Sequence, residues 1–197
     1  MRSAGLVNVA NGLTVLRILL VPVFGLLLFS DARVGAFVVF VLAALTDTAD
    51  GRIARRYDLI TDFGKLADPI ADKALIGVAL VGLSILGELS WWVTVLILFR
   101  EFGITVLRLW VRRRTVIAAS AGGKAKTVLQ VIAIALYVLE LGGWPQLVAM
   151  VVMAVALALT LITGLGYVRR AVLAVRAEGH DHADHADHAD HEGGAAG

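Results

Sequence analysis

Long apolar runs alternate along this chain with short charged breaks. Six runs read as helical spans: residues 12–29, 34–45, 74–89, 91–110, 128–141 and 145–168. Several are shorter than the roughly 20 apolar residues needed to cross the hydrocarbon of a bilayer. The second and third are short because each runs into charge between residues 47 and 72. The helices are expected to continue through those charges, which would hold ionisable groups inside a bundle and against polar partners rather than lipid. The pattern predicts an all-α, polytopic integral membrane protein with six transmembrane helices.

Composition agrees. Of 197 residues 59% are hydrophobic, and the mean hydropathy is +0.83. A soluble domain has about half its residues apolar. Cysteine is absent, which excludes a disulfide framework, a thiolate nucleophile and a zinc–thiolate site. The first apolar run does not end in a small-residue cleavage site, so it reads as a retained span rather than a cleavable signal peptide.

Charge supplies the orientation. The net charge is +2, but residues 180–192 hold all five histidines and five of the sixteen acids. Residues 1–178 alone carry 18 basic and 11 acidic side chains, a net +7. That balance suits anionic lipid headgroups and phosphorylated substrates, with no nucleic-acid partner expected. With six spans, nearly all the bases fall on one side, from Arg17 through Arg52, Arg55, Arg56 and Lys65 to Arg112, Lys124, Lys126 and Arg169. The other side has Arg33 with Asp31, Glu88 and Glu140. This bias predicts a plasma-membrane protein whose termini and 47–72 segment both face the cytoplasm.

The chain divides into a membrane domain, residues 1–178, and a tail, residues 179–197. The tail contains a His-Ala-Asp repeat and has no apolar content with which to fold, so a disordered extension is expected. Weak divalent-metal binding through imidazole and carboxylate is the functional alternative there.

The chemistry concentrates in DTADGRIARRYDLITDFGKLADPIAD, residues 47–72. Asp47 and Asp50 are three apart, and Asp68 and Asp72 are four apart, so each pair falls on one face of a helix. One pair ends the second span and the other opens the third, with Gly51 and Gly64 assigned to the turn between. If the two helices are neighbours, four carboxylates converge at the membrane edge. They can remain ionised together if cations sit among them, and hard oxygen ligands favour magnesium, manganese or calcium. Four carboxylates suit two ions, an arrangement that recurs in phosphoryl chemistry. The bland alternative is salt bridging to Arg52, Arg55, Arg56 and Lys73. It accounts for one pair better than for two pairs of matched helical spacing.

Written out, the segment is Asp47-x2-Asp50-Gly51-x2-Ala54-Arg55-x8-Gly64-x3-Asp68-x3-Asp72. Every fixed position agrees with the signature of the CDP-alcohol phosphatidyltransferases, and the resemblance covers most of residues 8–168. That family joins a CDP-linked lipid to an alcohol and releases CMP. The resemblance implies that Asp47, Asp50, Asp68 and Asp72 hold two magnesium or manganese ions, with Asp72 also the general base on the acceptor hydroxyl. It implies that Thr14, Gly51, Ala54 and Arg55 bind CDP-diacylglycerol, and that the protein is a homodimer. The residue types fit these roles. Glycine lets a bulky headgroup approach the backbone, and arginine offers phosphate a planar fork of donors. The membrane domain has no histidine or cysteine, which leaves a carboxylate as the natural base.

Three further stretches bear on the acceptor. NGLTVLR (residues 11–17), FREFGITVLR (99–108) and VIAASAGGKAKTVLQ (116–130) resemble bacterial phosphatidylglycerophosphate synthases, although Ala10 stands where those often have proline. The resemblance implies glycerol 3-phosphate as acceptor, with Arg100, Arg108, Lys124 and Lys126 on its phosphate. Arg100 and Glu101 lie within a span, where ionisable groups are rare and usually functional; a structural ion pair is the alternative. Gly-Gly-Lys is too short for a Walker loop. Inositol phosphate or phosphatidylglycerol are the alternative acceptors. A divalent-cation transporter is the competing class, but such a site normally lies at the bilayer midplane between broken helices.

Overall fold

The structure, a computed structural model, describes residues 9–57, 62–111 and 121–193, with side chains described for 12–46, 70, 71, 73–107 and 126–169. Every regular element among the described residues is helical: α1 Val9–Phe29, α2 Arg33–Tyr57, α3 Asp62–Ile85, α4 Trp91–Val111, α5 Ala121–Leu139 and α6 Gly143–Gly193. Each predicted span falls within or largely within one helix. Among the described residues two helices are long and apolar enough to cross a membrane, α1 over Gly12–Phe29 and α6 over Gly143–Arg169. Shorter apolar stretches occupy Arg33–Thr46, Lys73–Ile85 and Lys126–Leu139.

Three local readings differ from expectation. Gly51 and Gly64 lie within α2 and α3 rather than in a turn. A helical glycine costs only about 1 kcal/mol relative to alanine, and a good helix former, Arg52 or Lys65, follows each. The third span ends at Ile85, not at 89, because Gly87 takes the left-handed conformation (φ 77°) that stops a helix. Finally, α6 continues as helix through the His-Ala-Asp repeat to Gly193, where a disordered tail was expected. Residues 177–193 contain no proline, so the helix that enters from the apolar side meets no residue that blocks it outright, although aspartate and histidine are poor helix formers.

The helices pack as a bundle in which α1 lies against α2 and α3, α2 against α5, α5 against α6, and α4 against α3 and α6. Its core holds Phe24, Leu28, Phe40, Leu80, Leu83, Ile97, Ile134 and Val138, all essentially inaccessible. The Phe24 and Phe40 rings meet at 5.4 Å between centroids with a 45° tilt, one of the favoured aromatic geometries. Between the large side chains sit Ala36, Ala43, Ala79, Ala133, Ala149 and Ala156, also buried, which let backbones approach closely as in membrane bundles. The outer surface is equally apolar: Leu26, Trp92, Phe99, Trp144 and Leu165 are more than 70% exposed. A bilayer, unlike water, solvates such a surface.

One end of the bundle is closed by three short turns, α1–α2, α3–α4 and α5–α6. Arg33, at the start of α2, pairs with Glu88 in the second turn and with Glu140 in the third, the latter at 3.1 Å. Asp31 and Glu140 both take positive φ to make these turns, 58° and 47°. Burial pushes the Glu88 carboxyl above the usual range, outweighing the opposing pull of Arg33. Exposed Trp91, Trp92 and Trp144 stand close in sequence to the same turns, the position of an interfacial aromatic belt.

Candidate functional site

The candidate site lies at the opposite end, where α2 runs out and α3 begins. Asp47, Asp50, Gly51, Ala54 and Arg55 occupy the last three turns of α2, and Asp68 and Asp72 the first three of α3. The two helices pack against each other, so the two acidic pairs lie on neighbouring elements. The side chains of these residues lie outside the described set. Arg108 and Lys124 are placed on α4 and α5, and their side chains too lie outside it. The described side chains alone contain no group of three metal-ligating residues.

Beside this segment the described side chains form two polar features within the apolar bundle. The first is on α1. Thr14 and Arg17 are three apart, share one face, and are both buried, Arg17 completely. Arg17 lines a cavity of about 220 Å³ between α2, α3 and α5, walled by Val41, Leu45, Leu75, Thr127 and Val131. Leu45 precedes Asp47 by two residues and Leu75 follows Asp72 by three, so the cavity adjoins the aspartate segment.

The second feature is an ionic hub centred on Glu101 of α4. Its Oε1 accepts from Lys126 of α5 and from Arg100 at 3.1 Å, and Lys73 of α3 lies 3.6 Å from its Oε2. Lys73 also donates to the Glu101 backbone carbonyl at 3.5 Å and stands 5.9 Å from the centre of the Phe102 ring. Arg100 reaches across to α6, donating to Thr163 Oγ1 at 2.9 Å. The Thr163 hydroxyl in turn donates to the Leu159 carbonyl at 2.6 Å, which leaves its oxygen facing the guanidinium. Three cations from three elements therefore meet one carboxylate. Lys126 is almost fully buried at 5% exposure, so the carboxylate is what makes its charge tolerable there.

Of the residues expected on an acceptor phosphate, the structure brings Arg100 and Lys126 together. Lys73 and Arg17 join the polar interior although sequence reasoning had given neither a substrate role. Both carried a signal. Lys73 directly follows Asp72, and Arg17 sits one helical turn after Thr14 in the NGLTVLR stretch. Gly164 was not legible at all. A side chain there would place its Cβ 3.1 Å from Cγ and Nε of Arg100, so the arginine would have to give by a few tenths of an ångström where it crosses α6.

Comparison with known proteins bears on this arrangement. The family model for CDP-alcohol phosphatidyltransferases matches residues 7–162. A Mycobacterium tuberculosis protein named "Probable phosphatidylglycerophosphate synthase" is 57% identical over 175 residues, covering 86% of this chain and 84% of that protein. A Rickettsia bellii protein named CDP-diacylglycerol–glycerol-3-phosphate 3-phosphatidyltransferase is 39% identical, covering 81% of this chain and 93% of its own. A Shigella flexneri protein of the same name is 36% identical, covering 83% and 94%.

Proposed function

The chain belongs to the CDP-alcohol phosphatidyltransferase family, and on that premise we propose that it transfers the phosphatidyl group of CDP-diacylglycerol to glycerol 3-phosphate, giving phosphatidylglycerol phosphate and CMP. The observation that carries this reading is its similarity, along nearly their full length, to relatives named for that reaction. The hub of Lys73, Arg100 and Lys126 supports it, because an anionic acceptor calls for cations beside the aspartates.

The lipid substrate would enter laterally, with its acyl chains in the bilayer and its headgroup at the α2–α3 junction. Gly51 and Ala54 leave room for the cytidine diphosphate, and Arg55 and Thr14 donate to it. The acceptor would arrive from the cytoplasm and dock on Arg100, Arg108, Lys124 and Lys126. Asp72 takes the proton from its free primary hydroxyl. That oxygen bonds to the lipid-side phosphorus as the bond from that phosphorus to the CMP oxygen breaks.

The donor set at the α2–α3 junction is made of carboxylate oxygens on two adjacent helices, which fits hard divalent cations. Asp47, Asp50, Asp68 and Asp72 would hold two magnesium or manganese ions. When bound, such ions neutralise the pyrophosphate and the departing CMP. The bias of basic residues supports six crossings, cytoplasmic termini, a cytoplasmic site and a plasma-membrane location. The family resemblance supports a homodimer.

The test is CMP release by purified protein in detergent, given CDP-diacylglycerol and magnesium, with acceptors offered singly: glycerol 3-phosphate, inositol phosphate, phosphatidylglycerol or serine. Release with glycerol 3-phosphate alone, lost on chelation, is the expected result. Release with another acceptor would keep the aspartate site and overturn the assignment of Arg100, Arg108, Lys124 and Lys126.

A further inference from the structure

We infer that Glu101 is a positioning residue that holds Lys73, Arg100 and Lys126 in the arrangement that receives the acceptor's phosphate; this role rests on the reaction proposed above. The ground is geometric. One carboxylate touches cations carried by three different helices, α3, α4 and α5. Lys73 neighbours Asp72 in sequence, and Lys126 closes the Gly-Lys-x-Lys string, so the hub lies between the reacting end of α3 and the basic end of α5.

Three cations in a low-dielectric bundle repel one another. Without a counter-charge they would splay apart, or the lysines would lose protons. Glu101 supplies that charge from within α4. Its place is fixed by the helix and by Arg100, whose other hydrogen bond ties it to Thr163 of α6. The space at the hub, bounded by Lys73, Glu101, Phe102, Thr127 and Gln130, is only about 30 Å³. That volume holds about one water. Cations already in place need little reorganisation when the phosphate arrives, which favours both binding and orientation.

The role predicts a split in the kinetics. In Glu101→Gln, which keeps the shape and removes the charge, KM for glycerol 3-phosphate should rise roughly ten- to hundredfold, the loss expected when a charge-assisted contact disappears. KM for CDP-diacylglycerol should stay near wild type, while the thermal midpoint falls, because nearly buried Lys126 loses the carboxylate it pairs with. Glu101→Asp, which keeps the charge with a shorter reach, should fall between the two; it also serves if the glutamine variant does not fold. An unchanged KM for glycerol 3-phosphate in the folded variants would overturn the role. So would an equal rise in the KM of both substrates, which is what a merely structural ion pair would give. If the wild-type protein itself releases no CMP with glycerol 3-phosphate, the reaction proposed above fails first, and the two failures are told apart in the same assay.

Discussion

Gly164→Ala and Gly166→Ala form a matched pair that isolates the packing around Arg100. Both glycines lie on α6, two residues apart, within its apolar stretch. Replacing either by alanine gains the same helix propensity, about 0.8–1.0 kcal/mol. The surroundings differ. A Cβ at Gly166 meets nothing within 4 Å, whereas at Gly164 it comes within 3.1 Å of two Arg100 side-chain atoms and 3.7 Å of a third. Arg100 cannot easily withdraw, because it is held at 3.1 Å by Glu101 and at 2.9 Å by Thr163. Giving way by a few tenths of an ångström stretches one of these bonds, and overpacking of this kind costs about 1–3 kcal/mol. Gly166→Ala should thus be neutral or slightly stabilising. Gly164→Ala should be less stable than it by about 1–3 kcal/mol, or roughly 2–4 °C of thermal midpoint per kcal/mol for a chain of this size. Displaced Arg100 should also raise KM for glycerol 3-phosphate by about tenfold, the equivalent of roughly 1.4 kcal/mol. Thermal unfolding in detergent and CMP release against acceptor concentration measure the two effects. If both variants unfold alike and share the wild-type KM, Arg100 does not need the space at Gly164, and its placement against α6 is not what sets acceptor affinity.

Further outcomes follow from the same geometry. Asp72→Asn should abolish CMP release while the protein keeps its thermal midpoint; full turnover would remove Asp72 from the role of base. Arg33→Met leaves Glu88 and Glu140 without their shared cation and should destabilise the fold at neutral pH by about 3 kcal/mol. Glu88 already has a raised pKa, and loss of Arg33 raises it further, so the folded variant binds a proton more readily than its unfolded chain. The penalty should then shrink as pH falls toward the carboxylate range, and an equal penalty at pH 8 and pH 5 would show that Glu88 carries none of it. A chain ending after Arg176 should retain acceptor and lipid KM values, since no residue assigned to the site lies beyond it; a changed KM for either substrate would give the His/Asp repeat a part in catalysis.

Helix positions were readable because hydrophobic length alone marks them. Residues 91–110 became α4 Trp91–Val111, and 12–29 became α1 Val9–Phe29. The faces of the helices were much harder to read. In a bundle solvated by lipid, buried and exposed positions are equally apolar, so Phe24 and Phe40 inside cannot be told from Phe99 outside by hydropathy. Polar residues escape this ambiguity. Arg100 and Glu101 stood out within their run, and Thr14 and Arg17 shared a face by spacing. Their partners depend on which helices adjoin. The meeting of Lys73, Arg100 and Lys126 on one carboxylate, and the close approach of Gly164 to Arg100, arise from packing of α3, α4, α5 and α6 that no local pattern encodes. Gly51 and Gly64 misled for a different reason: glycine marks turns only where nothing sustains the helix around it.

The two ends of the bundle set opposite electrostatic conditions, and that difference bears on why carboxylates tolerate the bilayer edge. At the turn end, Arg33 is shared between Glu88 and Glu140, and short connections tie α1 to α2, α3 to α4 and α5 to α6. Each hairpin is therefore fixed at its far end. At the other end the charges are of both signs: aspartates on α2 and α3, and cations converging from α3, α4 and α5. Such a cluster repels itself whenever one sign is present alone. Lys73 follows Asp72 in sequence and joins the basic hub to the helix that carries the second aspartate pair, so charges of opposite sign gather at one end of the bundle. The reaction proposed above, between one lipid-borne and one water-borne phosphate ester, calls for that combination: a rigid anchor at one end and charges of both signs gathered at the other.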